Sequence, residues 1–190
     1  MLIRAAQALD ADHLVRFINM AADDLPLHFW KKSAAPGVDP LAYGAERAAR
    51  QTGSFSFRNA LLAEVDGQTA ACLLGYPTAL NVEPIEPGTP PIFVPLLELE
   101  ALAPGSWYLN VLATYPEFRG MGLGSALLAQ AEKIARKADC ATISLIAADS
   151  HRDALSLYRA KGYSEIARRP LVKDDWLVSA AEWILFAKQV

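Results

Sequence analysis

The chain has 190 residues, 53% of them hydrophobic and 21% charged, enough to bury the core of one sizeable domain and too apolar for intrinsic disorder. Its 18 basic and 21 acidic residues leave a net charge of −3, which gives a nucleic-acid partner no electrostatic footing. No apolar run approaches the roughly 18 residues of a spanning helix, and two cysteines, Cys72 and Cys140, are too few for a disulfide framework or a zinc site. The first residues lack the order of a secretory signal, so the expectation is a soluble, cytoplasmic protein with no membrane or metal partner.

In chain order, residues 2–6 read as a short strand. Asp10 then stands as an N-cap for an amphipathic helix to about residue 22, with Leu14, Phe17 and Ile18 on its apolar stripe. Residues 23–30 break the period and read as a loop or as a helix interrupted at Pro26. A helix carrying Ala45, Ala48 and Ala49 follows and ends near Gly53. Residues 59–65, the turn Asp66-Gly67 and residues 69–76 form a hairpin signal.

Residues 77–105 hold seven of the 12 prolines. This is an insertion into the single domain 1–190, long enough to be expected over a site, with a short helix around 96–102. Glu98 and Glu100 lie in it; two apart, they would share one side if extended, and could bind an ammonium or act as a base, or simply be solvated charges. The second half is more regular: strand 107–113, loop 114–121, helix 122–138, strand 141–148, a helix 150–161 closed by Gly162, and strands 163–172 and 181–190. The order is that of an α+β domain.

The most informative stretch is Arg119-Gly120-Met121-Gly122-Leu123-Gly124-Ser125, between a strand and a helix. Glycines admit a close backbone approach, the helix start offers unpaired N–H groups, and Arg119 adds a fixed cation, which together suit an anion such as a phosphate. A nucleotide-binding Gly-Lys-Ser/Thr triplet is missing. A dinucleotide fingerprint also fails, because the sixth position is Ser125 counted from Gly120 and Leu127 counted from Gly122.

What remains is Arg/Gln-x-x-Gly-x-Gly/Ala, met by Arg119, Gly122 and Gly124. Here the chain resembles the GCN5-related N-acetyltransferase (GNAT) superfamily, whose pyrophosphate loop reads much like residues 116–124. A second match is Ala154-Leu155-Ser156-Leu157-Tyr158-Arg159-Ala160-Lys161-Gly162-Tyr163, similar to the family's Ala-x-x-Leu-Tyr-x-x-x-Gly-Phe helix. The resemblance implies a central twisted mixed sheet of about seven strands flanked by about four helices. It implies acetyl-CoA as co-substrate, held by Arg119, Gly120, Met121, Gly122, Leu123, Gly124 and Ser125, by the strand residues Leu112, Ala113 and Thr114, and by His151. It also implies that Tyr158 protonates the departing thiolate.

Two positions depart from the pattern. His151 stands where the family often has Asn, and Asn110 where it often has a Glu that relays a proton, so no general base is assigned. The expected activity is direct transfer of acetyl to a primary amine, a small molecule sooner than a protein; a non-catalytic acyl-CoA-binding or sensory module is the alternative. Asp24, Trp30, Glu98 and Asn110 are candidates for contacting the acceptor. The apolar final strand, around residues 183–187, could pair across a homodimer interface.

Overall fold

The computed structural model describes residues 1–190. Seven strands form one sheet: β1 (Leu2–Ala5), β2 (Ala60–Val65), β3 (Gln68–Pro77), β4 (Trp107–Thr114), β5 (Thr142–Ala148), β6 (Ser164–Pro170) and β7 (Glu182–Gln189). Their spatial order is β1-β2-β3-β4-β5-β7-β6. The sheet is mixed: β4 and β5 run parallel, whereas β1–β2, β2–β3, β5–β7 and β6–β7 are antiparallel. The expected α+β architecture and strand number are therefore present.

Six α-helices accompany the sheet where about four were expected: α1 (Ala11–Ala21), α2 (Leu25–Ser33), α3 (Pro40–Ala48), α4 (Val94–Glu100), α5 (Leu123–Lys137) and α6 (Arg152–Ala160). The count of four came with the family resemblance; read in chain order, the sequence already predicts helices at α1, α3, α4, α5 and α6 and leaves residues 23–30 as a loop or an interrupted helix. Pro26, Pro40 and Pro95 stand in the first turns of α2, α3 and α4, where a helix has no use for the missing N–H. Residues 23–30 are thus not a loop; Asp23 and Asp24, with φ of 47° and 66°, turn the chain from α1 into α2. Asp10 also differs from expectation. It occupies the N-cap of α1 without capping it, and its buried carboxylate accepts from the Arg4 guanidinium at 2.8 and 2.9 Å and from the Gln7 N–H at 2.7 Å.

The chain divides into two units. The first, Met1–Tyr76 with Asn110–Gln130, is built on the apolar stripe of α1. Leu14, Phe17 and Ile18 recur at helical spacing and pack with Leu62 of β2, Cys72 and Leu74 of β3, and Val111 and Ala113 of β4. Gly44 lets α3 close on this layer: a Cβ there would lie 2.6 Å from Val15 Cγ2 and 2.8 Å from the Trp30 ring. The hairpin between β2 and β3 turns through Asp66 and Gly67, both at positive φ (50° and 77°), as the Asp-Gly signal requires.

The second unit, Pro77–Leu109 with Ala131–Val190, centres on β5, β7 and β6, with α4 packed against all three. The proline-rich segment is tied at its neck, where Thr78 N–H donates to the Ser106 carbonyl at 2.8 Å and Gly105 N–H to that of Ala79 at 3.0 Å. α4 buries Pro95 and Leu99. The start of β4 is joined to β5 by a buried hydrogen bond of 2.6 Å between the Ser106 and Ser144 hydroxyls. The two cysteines are free and buried.

Candidate functional site

Strand β4 carries the chemistry of the middle of the sheet. Its registered pairing with β5 runs from Trp107↔Ile143 to Leu109↔Leu145, while β4 itself continues to Thr114. Along it, Val111 and Ala113 are buried and Asn110, Leu112 and Thr114 are half-open, the alternation of a strand with one face in the core. On the half-open face the Asn110 side-chain amide donates to the Tyr76 hydroxyl at 2.9 Å. Tyr76 was not legible as a site residue, because only the pairing of β3 beside β4 brings it to Asn110.

At the far end of β4, Tyr115 anchors the loop that follows. Its N–H donates to the Ala70 carbonyl at 2.9 Å, its hydroxyl lies 3.0 Å from His13 Nδ1, and its ring stacks on Phe17 with centroids 4.2 Å apart. Phe118 N–H returns to the Tyr115 carbonyl at 3.0 Å, and Arg119 N–H to that of Pro116 at 3.2 Å, winding residues 116–118 into one 3₁₀ turn. Gly120 and Gly122 then take φ of 78° and 77°, a region where an L side chain is strained. A Cβ at either would meet no atom within 4 Å, so backbone conformation, not crowding, demands glycine here. α5 starts directly after Gly122, so the first N–H groups of that helix, from Leu123, Gly124 and Ser125, stand without intrahelical carbonyls. Arg119 and Met121 are exposed beside them, and Arg119 Nε reaches the Thr114 carbonyl at 3.4 Å. Unpaired backbone N–H groups with one guanidinium at their rim are chemically suited to an anion.

Tyr158 lies in the last turn of α6. That helix is closed by Gly162 at φ 83°, with Gly162 N–H donating to the Arg159 carbonyl and Tyr163 N–H to that of Tyr158, each at 3.0 Å. The Tyr158 ring is 5% exposed and meets Tyr163 edge-on at 6.0 Å and Phe186 at 6.1 Å. Burial pushes its hydroxyl well above the ordinary tyrosine range, so it stays protonated at neutral pH. His151 is the N-cap of α6, and its carbonyl accepts from Leu155 N–H at 2.9 Å.

The candidates for acceptor contact have diverse settings. Asp24 receives the Asn19 side-chain amide, and Asn19 Oδ1 accepts from Leu27 N–H at 3.0 Å, so the pair pins the α1–α2 turn. Trp30 is buried in the core of the first unit. Glu98 and Glu100 are on helix α4, not on a strand, and two residues apart on a helix point to nearly opposite sides. Glu98 pairs with Arg169 Nε at 2.5 Å. Arg168, exposed on β6, pairs with Glu165 at 2.6 Å and Glu182 at 2.8 Å. Glu100 is turned inward, hydrogen-bonded to Tyr108, and burial raises its carboxyl above the usual range against the opposing effect of that bond.

The acetyltransferase (GNAT) family model matches residues 25–163, so the chain belongs to that family. It is accordingly an acetyl-CoA-dependent acetyltransferase. Solved structures share its fold at low identity. An N-acetyltransferase from Staphylococcus aureus Mu50 is 18% identical over 99% of this chain and 100% of that one, with a TM-score of 0.70. A ribosomal-protein-alanine N-acetyltransferase from Brucella melitensis is 20% identical, covers 100% of both chains, and has a TM-score of 0.61. A GNAT family acetyltransferase from Elizabethkingia anophelis, with acetyl-CoA bound, is 16% identical over 69% of this chain and 75% of that one, with a TM-score of 0.50. No curated protein matches the chain.

Proposed function

We propose that the chain moves the acetyl group of acetyl-CoA to the primary amine of a small molecule, by direct attack within a ternary complex. The observation that carries the donor half is the loop at residues 119–122, with two glycines at positive φ opening straight into α5. A pyrophosphate would accept from the first N–H groups of α5, with Arg119 neutralising part of its charge. The half-open stretch of β4 from Asn110 to Thr114, beyond the register with β5, offers strand-edge amides to the pantetheine arm. A backbone N–H near Leu112 would meet the oxyanion that forms on attack.

The neutral amine attacks the thioester carbonyl, the C–S bond breaks, and Tyr158 gives its proton to the leaving sulfur. Burial of the Tyr158 hydroxyl supports that role, since it arrives at the reaction protonated. Neither cysteine suits a covalent intermediate: burial raises both thiols, which disfavours the thiolate. His151, at the N-cap of α6, is assigned to the CoA arm. The acceptor is assigned to the parts outside the CoA motifs: Asp24 and Trp30 in and beside α2, Asn110 with Tyr76, and the 77–105 segment that bears Glu98.

Titration calorimetry with acetyl-CoA and CoA, followed by a thiol-release assay over a panel of amines, tests this reading. Saturable binding with amine-dependent release is expected. Binding with no release from any amine would favour an acyl-CoA-binding module, and no binding would overturn the proposal. Shortening residues 84–91 should raise the KM for the acceptor and leave the Kd of acetyl-CoA unchanged; an unaltered KM would take the insertion out of the site.

A further inference from the structure

Direct attack needs a neutral amine, yet β4 carries no carboxylate between Trp107 and Thr114. A half-buried acid does reach that strand from elsewhere. Glu100, at the last position of α4, is hydrogen-bonded to Tyr108, and Tyr108 precedes Asn110 by two residues on β4. Strand alternation sets Tyr108 on the same side of β4 as Asn110, Leu112 and Thr114, two residues before the half-open stretch; Tyr108 itself is 6% exposed and still pairs with Ser144 of β5.

The charged groups on the strands packed against α4 are engaged with other residues. On β6, Arg169 holds Glu98, and Arg168 holds Glu165 together with Glu182 of β7. Lys188 of β7 holds Glu132 at 2.6 Å. β5 contributes no charged side chain. Glu100 thus faces a tyrosine hydroxyl instead of a guanidinium. Burial, the larger influence, raises its affinity for a proton, which a structural ion pair would lower.

We infer that Glu100, acting through the Tyr108 hydroxyl, takes the proton that the incoming ammonium must lose; the inference rests on the amine-transfer reading above. The step balances. Tyr108 passes its hydroxyl proton to the Glu100 carboxylate as it accepts one from the ammonium, which leaves a neutral amine, a neutral tyrosine and a protonated Glu100. The amine then attacks, the C–S bond breaks as Tyr158 gives its proton to the sulfur, the second proton lost by the nitrogen restores the Tyr158 hydroxyl through solvent, and Glu100 returns its proton to solvent. Tyr108 is the group that meets the acceptor, and Glu100 stands behind it.

Glu100→Gln and Tyr108→Phe, both close in shape to the originals, test the relay once each variant is found folded by circular dichroism. At neutral pH, turnover with an alkylamine should fall about 10²-fold in each, the usual worth of a positioned base, with the Kd of acetyl-CoA unchanged. The deciding readout is a series of amines of falling pKa. The defect should shrink as the amine pKa approaches the assay pH, because an amine that is already neutral needs no base. A purely structural role would depress all the amines alike, and that result overturns the inference. So does normal turnover in both variants. If the unchanged chain binds acetyl-CoA but releases no thiol with any amine, the amine-transfer reading itself falls and takes the relay with it; normal turnover in the variants removes the relay alone.

Discussion

The loop at residues 119–122 and the pair Glu100–Tyr108 use their residues in opposite ways. The loop is exposed and acts through its backbone: Gly120 and Gly122 contribute a conformation, and the helix start behind them contributes N–H groups. The pair is proposed to act through its side chains: Tyr108 is buried and Glu100 half-buried, and partial shielding from water raises the carboxyl. A backbone device depends on a few consecutive residues, so it is written as a local motif. A buried side-chain device depends on which distant residues are brought together, and one altered atom changes its electrostatics.

The largest expected effect lies on the buried side. Tyr158→Phe should lower turnover by about 10²-fold or more, the range of a lost general acid, and leave acetyl-CoA affinity nearly intact in calorimetry. Equal turnover with a good acceptor would remove Tyr158 from the chemistry. Next comes the loop. Gly122→Val places a β-branched residue at φ 77°, a strain of about 1–2 kcal/mol, and should weaken acetyl-CoA binding about tenfold or more with little change in core stability. Arg119→Ala should cost about 1.5–3 kcal/mol of the same affinity, the worth of a charge-assisted hydrogen bond, and unchanged affinity would count against the loop as the phosphate site.

Smaller effects extend the contrast to stability. Asp10, nearly fully buried, is held below the usual carboxylate range chiefly by the hydrogen bond from Arg4. Its folded-state pKa is depressed, so its contribution is present above the unfolded value of about 3.9 and is lost as pH falls through the folded value. Asp10→Asn should cost about 1.5–3 kcal/mol in urea unfolding at pH 7 and should flatten the acid limb of the stability profile below about pH 4. Arg168, exposed and equally well paired, makes the comparison: Arg168→Ala should barely move the urea-unfolding midpoint, and less still in high salt. If the two substitutions cost the same, burial is not what separates these sites.

Much of the fold was written locally. The apolar stripe of α1, the Asp-Gly turn between β2 and β3, the strand-to-helix transition at Gly122 and the glycine closing α6 all depend on residues a few positions apart. Propensity and spacing therefore sufficed to place them. Proline was the weak point, since the same residue that breaks a helix in its interior is welcome in its first turn, and residues 23–30 stayed undecided between a loop and a helix on that account. The donor loop and Tyr158 could be singled out because their motifs lie within single stretches of sequence.

What the amino-acid order determined alone was the fold class and, through its resemblance to a known family, the loop proposed for the donor: periodicity and glycine placement are local, and local energetics write them. Tertiary structure decided everything that rests on pairing across distance. It set Tyr76 against Asn110, gave Glu98 to Arg169, and turned Glu100 away from solvent onto Tyr108. In the sequence Glu98 and Glu100 are alike, two carboxylates in a proline-rich stretch. A helix separates them by more than half a turn, so that one meets a guanidinium and the other a buried hydroxyl, and that difference in surroundings gives one a structural partner and underlies the proton-accepting role proposed for the other.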